Sequence, residues 1–423
     1  MVRWRASARK NLAISRRRLL IAGICAVAVG GLAGPTIARD HGRHRLASSV
    51  GINQTSSDRT ASKAAKASAP NKAVATKGIS VFRYGEHFAS GSQYERYAYV
   101  IVDRGHARAA AALPGKALIY TSGADIANFN TGVTKARAAS RGWLLRDSGG
   151  AVVESDDYDG MVLADVGDRS YQQEWLQNVL ALLRSTRAEG VFIDDVMSDL
   201  RSWTKGRLYP AKYPDQPSWA NAMASFLEAV GPTLEARGYY VLVNADGYLS
   251  GNPDSNNGST TVAWWQRLAP NVNGLLNEYW VQNPTDFGQL RTVGPDWNQR
   301  WDAWQGLVSV AQRAGADFFG LTYGSPTDFR SMRFGRASFL LDWNGKGGSF
   351  AYDTHERADP YNPAWTAELG RPLRRKIQLA EGVWRRRFER AIVVVNATSA
   401  PVSVLVSGVR RTIDATDALI VST

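Results

Sequence analysis

The chain is poor in cysteine and in histidine, which excludes several kinds of site. Cys25 is the only cysteine, and the five histidines are scattered along the chain. A single cysteine forms no intrachain disulfide, and its place within an apolar N-terminal stretch argues against a nucleophile. The histidines show none of the spacings of metal ligands. We therefore expect neither a metal site nor a cofactor.

Two common catalytic motifs are also missing. No G-x-S-x-G segment occurs, so the nucleophile elbow of serine hydrolases is not expected. No glycine-rich phosphate loop follows any of the early apolar runs, which removes the usual nucleotide-binding interpretation of an α/β sheet. The remaining candidates for chemistry are carboxylates and the aromatic residues near them.

The positive charge of the chain lies in its N-terminal segment. Residues 1–77 contain 15 Lys or Arg and 2 Asp or Glu, whereas residues 78–423 contain 36 of each sign. A nucleic-acid-binding domain carries its basic residues on the folded part, so we expect no nucleic-acid partner. Residues 39–77, which are rich in Ala, Ser, Lys and Thr, are predicted to be a disordered basic linker. Their lysines predict a weak attraction to anionic envelope polymers.

The first 38 residues have the pattern of an export signal. An arginine triplet at 16–18 precedes an apolar stretch at 19–33, which is short for a membrane span. Residues 36–38 resemble a small-residue cleavage site. Residues 1–38 are therefore predicted to be a twin-arginine signal peptide or an uncleaved membrane anchor. Both alternatives predict an exported protein, periplasmic or extracellular.

From residue 78 onward, apolar runs of strand length alternate with helical segments. This alternation predicts a mostly parallel sheet, and about eight units in roughly 300 residues fit a (β/α)8 TIM barrel. The predicted class is α/β, with a barrel over residues 78–385, and an open doubly wound sheet is the alternative. The predicted strands are Ile79–Tyr84, Tyr97–Asp103, Lys116–Ser122, Met161–Val166, Gly190–Asp195, Tyr239–Ala245, Gly274–Trp280, Asp317–Tyr323 and Ala337–Trp343. The predicted helices are Asp125–Ala139, Tyr171–Arg187, Trp219–Arg237 and Trp301–Ala314.

The most informative unit runs from Met161 to Val196. It consists of a strand, an amphipathic helix that a Ser170/Gln173 capping box would begin, and a second strand that ends in Asp194 and Asp195. Buried strands disfavour charge, and in a barrel the carboxyl ends of the strands carry the active site. Successive side chains of a strand point to opposite sides, so the two aspartates should differ in role. One of them can equally be a helix cap or an ion-pair partner.

Several other predicted strands end in polar and aromatic residues, which indicates an acidic, aromatic-lined cleft. Hydrolysis of a glycosidic bond needs one carboxyl group that protonates the leaving oxygen and another that acts as nucleophile or activates water. Asp194 and Glu278 are the best pair, because each ends an apolar strand and the strands are separated by one unit. Apolar neighbours would raise the pKa of Glu278 and favour the acid role, although a structural glutamate paired with Arg or Lys is the alternative. The predicted substrate-binding residues are Asp165, Asp195, Asn244, Asp246, Trp280, Tyr323 and Trp343.

The C-terminal segment has a different pattern. Ala391–Asn396, Val402–Ser407 and Ala418–Ser422 are short β-rich runs separated by turn-forming residues. They predict a small antiparallel β module over residues 386–423 that packs against the barrel.

The motifs of this chain resemble those of TIM-barrel glycoside hydrolases, namely the hypothetical glycosyl hydrolase family 15-like group and relatives of the endo-polygalactosaminidases. The resemblance rests on the segments Leu163–Val166, Glu189–Val196, Leu369–Leu373 and Val393–Thr398, and it covers about residues 78–423. It implies a barrel in which Asp194 is the strand-end carboxylate, with a second carboxylate further along the chain.

These observations together predict an exported glycoside hydrolase that acts on a polysaccharide. A non-catalytic carbohydrate-binding barrel of the cell envelope is the main alternative, and a structural envelope protein attached by its basic segment is another. The sequence leaves the sugar, the linkage, the stereochemical course and the oligomeric state open.

Overall fold

The structure is a computed structural model that describes residues 82–84, 97–127, 132–156, 160–200, 203–245, 258–283, 286–294, 300–354 and 369–423. The predicted signal or anchor, the predicted linker and Asp246 lie outside the described residues. In the part that is described, every helix is too short or too polar to span a bilayer.

The described residues alternate between strands and helices over most of their length. The strands are β1 (Phe82–Tyr84), β2 (Tyr99–Val102), β3 (Lys116–Ser122), β4 (Asp125–Ile126), β5 (Val162–Leu163), β6 (Gly190–Val196), β7 (Tyr240–Ala245), β8 (Gly274–Glu278), β9 (Gln282–Asn283), β10 (Asp286–Leu290), β11 (Asp317–Tyr323), β12 (Ser349–Asp353), β13 (Ile377–Ala380), β14 (Val383–Arg387), β15 (Ala391–Asn396), β16 (Val402–Val406), β17 (Val409–Ile413) and β18 (Asp417–Ser422). The α-helices are α1 (Ala107–Ala110), α2 (Lys135–Arg141), α3 (Arg169–Thr186), α4 (Gln216–Ala236), α5 (Gly258–Leu268), α6 (Trp301–Arg313) and α7 (Phe329–Leu340).

Eight of these strands form a single parallel sheet. Their order is β1-β2-β3-β6-β7-β8-β11-β12, and every neighbouring pair runs parallel. The sheet curls, because Cα atoms of the two edge strands, β1 and β12, approach within 8 Å of each other. Between the described residues of these two edges there is no hydrogen-bonded ladder. The predicted α/β class with a parallel sheet is confirmed.

The concave face of this sheet encloses an apolar core of its own. Because strand side chains alternate between two faces, every second residue points inward. Phe192 of β6, Leu242 of β7 and Leu276 of β8 belong to this inner core, which continues as Tyr99, Ile101, Leu118, Phe319, Leu321, Tyr323 and Ala351. The residues two positions further along β6, β7 and β8 are Asp194, Asn244 and Glu278. Alternation therefore turns these three polar side chains inward, above the apolar layer.

The segment before α3 differs from the prediction. Met161–Val166 is not a strand of the parallel sheet: only Val162–Leu163 is a strand, and it pairs antiparallel with Asp125–Ile126. The predicted helix Asp125–Ala139 is correspondingly wrong over its first half, and α2 begins at Lys135. Helix α3 is confirmed, but the cap is Asp168, whose carboxylate accepts hydrogen bonds from the backbone of Ser170 and Tyr171.

The last predicted strand, Ala337–Trp343, is also wrong. These residues belong to α7 and the turn after it, and the eighth strand of the sheet is β12. Helix α7 lies between the parallel sheet and the C-terminal strands, so apolar residues cover most of its circumference. The sequence of this segment therefore shows an apolar run without helical periodicity, which resembles a strand.

The C-terminal strands form the predicted antiparallel module. Strands β13, β14, β15 and β18 make a four-stranded sheet, and β16 and β17 form a hairpin that covers one of its faces. The other face packs on α7, where Arg333 forms an ion pair of 2.6 Å with Asp417. The sheet begins at Ile377, so the predicted boundary at residues 385/386 falls within β14.

Candidate active site

Three neighbouring strands bring the two predicted catalytic carboxylates together. Asp194 lies on β6, Glu278 ends β8, and Asn244 lies on β7 between them. The side-chain nitrogen Nδ2 of Asn244 donates to Oδ1 of Asp194 at 2.8 Å and to Oε2 of Glu278 at 2.7 Å. One amide group therefore bridges the two carboxyl groups.

This bridge limits the distance between the two carboxyl oxygens that contact Asn244. Both oxygens contact the same nitrogen, so their separation cannot exceed 5.5 Å, which is 2.8 Å plus 2.7 Å. Glycosidases that retain configuration place their two carboxyl groups about 5–5.5 Å apart, whereas inverting enzymes need roughly 6.5–9.5 Å. The geometry suits a direct nucleophile better than a water held between the two groups.

Asp194 receives more hydrogen-bond donors than Glu278. Besides Asn244, the Tyr120 hydroxyl donates to its Oδ2 at 2.5 Å and the Asp195 backbone N–H donates to its Oδ1 at 3.0 Å. Burial raises the pKa of Asp194 above its ordinary value, and these donors oppose that rise. Donors that favour the ionised form make Asp194 the better candidate for the anionic partner of the pair.

Glu278 is placed to hold a proton. Burial raises its pKa to about 7, and the negative charge of Asp194 contributes in the same direction. The Tyr323 hydroxyl, which donates to Oε1 of Glu278 at 2.7 Å, and the Asn244 amide limit this rise. A buried carboxyl group next to an ionised one matches the acid partner of a hydrolytic pair.

The backbone turns sharply after both carboxylates. Asp195 and Tyr279 have φ values of 54° and 57°, in the left-handed region that non-glycine residues seldom adopt. Val281 has a φ of 51°, which is more unusual because its side chain is β-branched. Such conformations persist only where the surrounding structure holds them, and they cluster at functional sites.

Gln282 holds the strained segment after Glu278. It is fully buried, its Nε2 donates to the Tyr323 carbonyl at 2.9 Å, and its Oε1 accepts the Tyr323 backbone N–H at 2.5 Å. Thr322 adds a hydrogen bond of 2.9 Å to the Trp280 carbonyl. The segment is thus fixed to β11, the strand that supplies Tyr323 to Glu278.

Three residues of the site are not among the predicted catalytic and substrate-binding residues. Tyr120 of β3 contacts Asp194, and strand alternation could have identified it. Asp125 is a buried carboxyl that accepts a hydrogen bond from Ser122, and burial together with the charge of Asp194 raises its pKa to about 7. Asp353, at the end of β12, adds to the negative charge around Glu278, and it was missed because its strand was missed.

Four of the seven predicted substrate-binding residues differ in how they relate to the carboxylate pair. Asn244 and Tyr323 contact the carboxylate pair directly. Asp195 follows Asp194 and keeps its side chain half-buried, and its carbonyl accepts the Met197 N–H at 2.9 Å. Asp165 is buried near the start of α3, where it pairs with the Lys212 ammonium and accepts a hydrogen bond from the Tyr213 hydroxyl at 2.5 Å.

The predictions for Trp280 and Trp343 are wrong. Trp280 is 0% exposed, and its indole N–H donates to the Gly335 carbonyl in the layer between the sheet and α7. The left-handed Tyr279 reverses the alternation after Glu278, so Tyr279 contacts the inner core and Trp280 points outward. Trp343 is 1% exposed and follows α7, at the amino end of β12 and thus at the end of the sheet opposite to the carboxylates.

Metal ligation finds no support in the described ranges. Among these residues, no group of three or more His, Cys, Asp or Glu side chains converges in a way that would hold a metal ion.

Comparison with known proteins gives a family and several distant structural likenesses. A noncanonic maltogenic α-amylase from Thermotoga neapolitana is 10% identical, with a TM-score of 0.46 over 82% of this chain and 96% of that chain. An α-amylase from Geobacillus thermoleovorans is 9% identical, with a TM-score of 0.45 over 82% of this chain and 98% of that chain. An α-L-fucosidase from Paenibacillus thiaminolyticus is 15% identical, with a TM-score of 0.38 over 68% of this chain and 47% of that chain.

The search of curated protein sequences returns no significant match. A family model, in contrast, matches residues 119–392. This range begins within β3 and includes all strands from β4 to β14, together with the three bridged side chains. Because this match covers more than half of the sequence, the chain belongs to Hypothetical glycosyl hydrolase family 15.

Proposed function

We propose that the protein is an exported glycoside hydrolase that cleaves a polysaccharide with Asp194 and Glu278. The observation that carries the proposal is the bridge from Asn244 to both carboxyl groups, at 2.8 Å and 2.7 Å. The pair lies at the carboxyl ends of parallel strands, where barrel enzymes carry their active sites. The proximity of β1 and β12 supports closure of the sheet into a (β/α)8 barrel.

The first step is the transfer of the sugar to Asp194. The ionised carboxylate of Asp194 attacks the anomeric carbon, while the carboxylic acid of Glu278 donates its proton to the glycosidic oxygen that leaves. The bond between the anomeric carbon and the leaving oxygen breaks as the bond to Asp194 forms. Tyr120 and Asn244 orient the attacking carboxylate through their hydrogen bonds to its two oxygens.

The second step releases the sugar. Glu278, now ionised, takes a proton from a water molecule, which attacks the anomeric carbon and displaces Asp194. Two displacements at one carbon leave its configuration retained. Glu278 ends the cycle protonated, and a pKa of about 7 suits a group that gives and then recovers a proton.

The substrate-binding roles form part of the same proposal. Asn244 and Tyr323, which contact the carboxylates, bind the sugar at the cleavage position. Asp195, near the end of β6, and Asp246, the next residue in the sequence after β7, bind the neighbouring hydroxyl groups. Asp165 positions the segment around Lys212 at the edge of the cleft, through its ion pair.

The test compares Asp194→Asn, Glu278→Gln and Asp302→Asn on a panel of polysaccharides and activated aryl glycosides. Asp302 is a matched control, since it lies in the first turn of α6 and forms an ion pair with Arg300, away from the carboxylate pair. We expect Asp194→Asn to abolish turnover of every substrate and the control to retain it. Glu278→Gln should lose the polymer, whereas aryl glycosides, whose leaving groups need no proton, should still form the glycosyl–Asp194 intermediate in a rapid burst. Release should then be slow, because Glu278 is also the base of the second step.

Two further results would contradict the proposal. NMR of the first product formed should show the anomeric configuration of the substrate, and an inverted product would overturn the two-step mechanism. If the wild-type protein cleaves no polysaccharide but binds one tightly, the non-catalytic carbohydrate-binding alternative replaces the enzyme.

Export is proposed from the sequence of residues 1–38. Replacement of Arg16 and Arg17 by Lys should block the appearance of the protein outside the cytoplasm if the twin-arginine route carries it. Cell fractionation of the double variant and the wild-type protein measures this. Unchanged export would indicate another route or an anchor.

A further inference from the structure

The C-terminal module carries charge of one sign. Residues 369–423 contain 10 Lys or Arg and 4 Asp or Glu. Subtraction from the 36 of each sign in residues 78–423 leaves 26 basic and 32 acidic residues in residues 78–368. The near-neutral total therefore conceals an acidic barrel joined to a basic module.

The module has a face that points away from the barrel. One side of its sheet packs on α7, and the hairpin β16–β17 covers part of the other side through Val406 and Ile413. We call the uncovered remainder of that second side, together with the outward side of the hairpin, the outer face. Its members are Ile377, Arg385, Arg387, Leu405 and Arg410.

Strand register places these residues on two surfaces that both face away from α7, one on the sheet and one on the hairpin that lies over it. Ile377 and Arg385 are direct partners across β13 and β14, and Arg387 lies two positions further along the same strand. Leu405 and Arg410 are direct partners in the hairpin, on the side opposite to Val404 and Val406, which point into the module. Direct partners and alternate residues share a face of a sheet.

The arginines of the outer face have no acidic partners. Among the described residues, the guanidinium groups of Arg385, Arg387 and Arg410 form no ion pair or hydrogen bond with a carboxylate. Arg374, Arg375 and Arg411 flank them and have no such partner in this part of the chain either. Like charges held at such short spacing favour an anionic ligand.

Exposed aliphatic side chains lie among these arginines. Leu405 is 60% exposed and Ile377 is 48% exposed. Leu373, Leu379 and Val409 are exposed nearby, and none of the exposed large apolar residues described in the module is aromatic. Polysaccharide sites use aromatic rings to stack on sugars. Basic residues interspersed with aliphatic ones are instead typical of surfaces that bind anionic lipids.

We propose that the outer face of the C-terminal module binds to the surface of an anionic lipid bilayer. The arginines contact lipid phosphates, and Leu405 and Ile377 enter the headgroup region. This interaction goes beyond the proposed hydrolase activity and does not depend on it. It would hold the barrel at a membrane, with the module between the two.

The first experiment measures binding of the full chain to vesicles. Phosphatidylcholine vesicles with and without phosphatidylglycerol are sedimented with the wild-type protein, with Arg385→Gln/Arg387→Gln/Arg410→Gln, or with Arg104→Gln/Arg237→Gln/Arg313→Gln. The second triple variant removes the same charge from exposed barrel positions. We expect the outer-face variant to bind anionic vesicles about tenfold more weakly, and the control to change by less than about twofold. The basic residues 1–77 contribute equally to all three proteins.

The second experiment detects contact at the outer face itself. A polarity-sensitive fluorophore is attached to Leu405→Cys in a Cys25→Ser background, with Ser185→Cys on α3 as the control position. Anionic vesicles should shift the emission of the Leu405 label to shorter wavelength and leave the control label unchanged.

Three results would overturn the proposal. The first is that both triple variants bind anionic vesicles equally more weakly than the wild type. The second is that the emission of the label at position 405 does not shift. The third is that the protein binds polygalacturonate, an acidic polysaccharide, but not vesicles. The last result would identify the outer face as a site for an acidic polymer. Hydrolytic activity is measured separately on soluble substrate, so failure of the hydrolase proposal leaves this test unaffected.

Discussion

The Tyr323 hydroxyl donates a hydrogen bond of 2.7 Å to Oε1 of Glu278. This bond favours the ionised form of Glu278, so its loss in Tyr323→Phe should raise the pKa of Glu278 and move the alkaline limit of activity to higher pH. We also expect kcat/KM to fall by about tenfold, because one hydrogen bond no longer orients the acid. Tyr352→Phe is the control, since that hydroxyl donates to the Ser325 carbonyl.

The pH profile of the wild-type protein should have its alkaline limb near 7. Glu278 must be protonated to act as the acid, and its pKa of about 7 means that activity falls as the pH rises through this value. Asp194 must be ionised, so activity also falls at low pH. In Asp194→Asn, the neighbouring charge is gone and the pKa of Glu278 should decrease. A carbon-13 NMR titration of labelled glutamate measures it, and an unchanged value would contradict the coupling between the two carboxyl groups.

Asp125 should make the protein less stable as the pH rises. Its pKa rises from 3.8 when exposed to about 7 in the folded protein, so the folded state binds the proton more tightly. The resulting stabilisation is present below pH 3.8 and is lost as the pH rises through 7. Relative to the wild type, Asp125→Asn should therefore gain stability between these values, by at most about 1.4 kcal/mol per pH unit.

Urea denaturation at several pH values measures this difference. Asp414→Asn serves as the control, because the Asp414 side chain is exposed on the C-terminal module. Parallel stability curves for Asp125→Asn and the wild type would rule out a proton held at Asp125.

The sequence predicted the centre of the site because that part depends on local alternation. Asp194, Asn244 and Glu278 each follow an inward-pointing apolar residue by two positions, and parallel strands bring such positions to one rim. Trp280 was misassigned because the left-handed Tyr279 reverses the alternation. No sequence rule anticipates that conformation for a tyrosine, since the surrounding contacts impose it.

The errors at the last strand of the parallel sheet have a different cause. Ala337–Trp343 looks like a strand because α7 is covered by apolar neighbours on two sides, and its periodicity is lost. β12 follows a glycine-rich turn and has only five residues, too few to show a pattern. Because Ala337–Trp343 was predicted as the last strand in place of β12, Trp343 was misplaced and Asp353 was omitted.

Trp280 should matter for stability and not for substrate binding. Trp280→Phe loses the hydrogen bond of 2.9 Å to the Gly335 carbonyl and part of the contact with Phe318. We expect the free energy of unfolding to fall by about 1–3 kcal/mol while KM stays within about twofold. Thermal denaturation and steady-state kinetics on the same preparations measure both quantities. A large rise in KM without loss of stability would restore Trp280 as a sugar-binding residue.

Gln282 should position Glu278 through Tyr323. Gln282→Leu keeps a similar side-chain volume but removes the two hydrogen bonds that Gln282 makes to the backbone N–H and carbonyl of Tyr323. We expect the free energy of unfolding to fall by about 2–4 kcal/mol. We also expect kcat to fall while KM changes little, because the acid moves relative to the sugar. The pKa read from the alkaline limb should shift as well, which a loss of stability alone would not cause.

Gln312→Leu is the matched control for this variant. Gln312 also makes side-chain hydrogen bonds to backbone groups, at 2.9 Å to the Val308 and Asp342 carbonyls and 2.6 Å from the Asn344 N–H, but it does so at the end of α6. The control should lose stability and keep both kcat and the alkaline limb. If the two variants lose activity in proportion to their loss of stability, Gln282 is a structural residue and the strained turn after Glu278 has no part in orienting the acid.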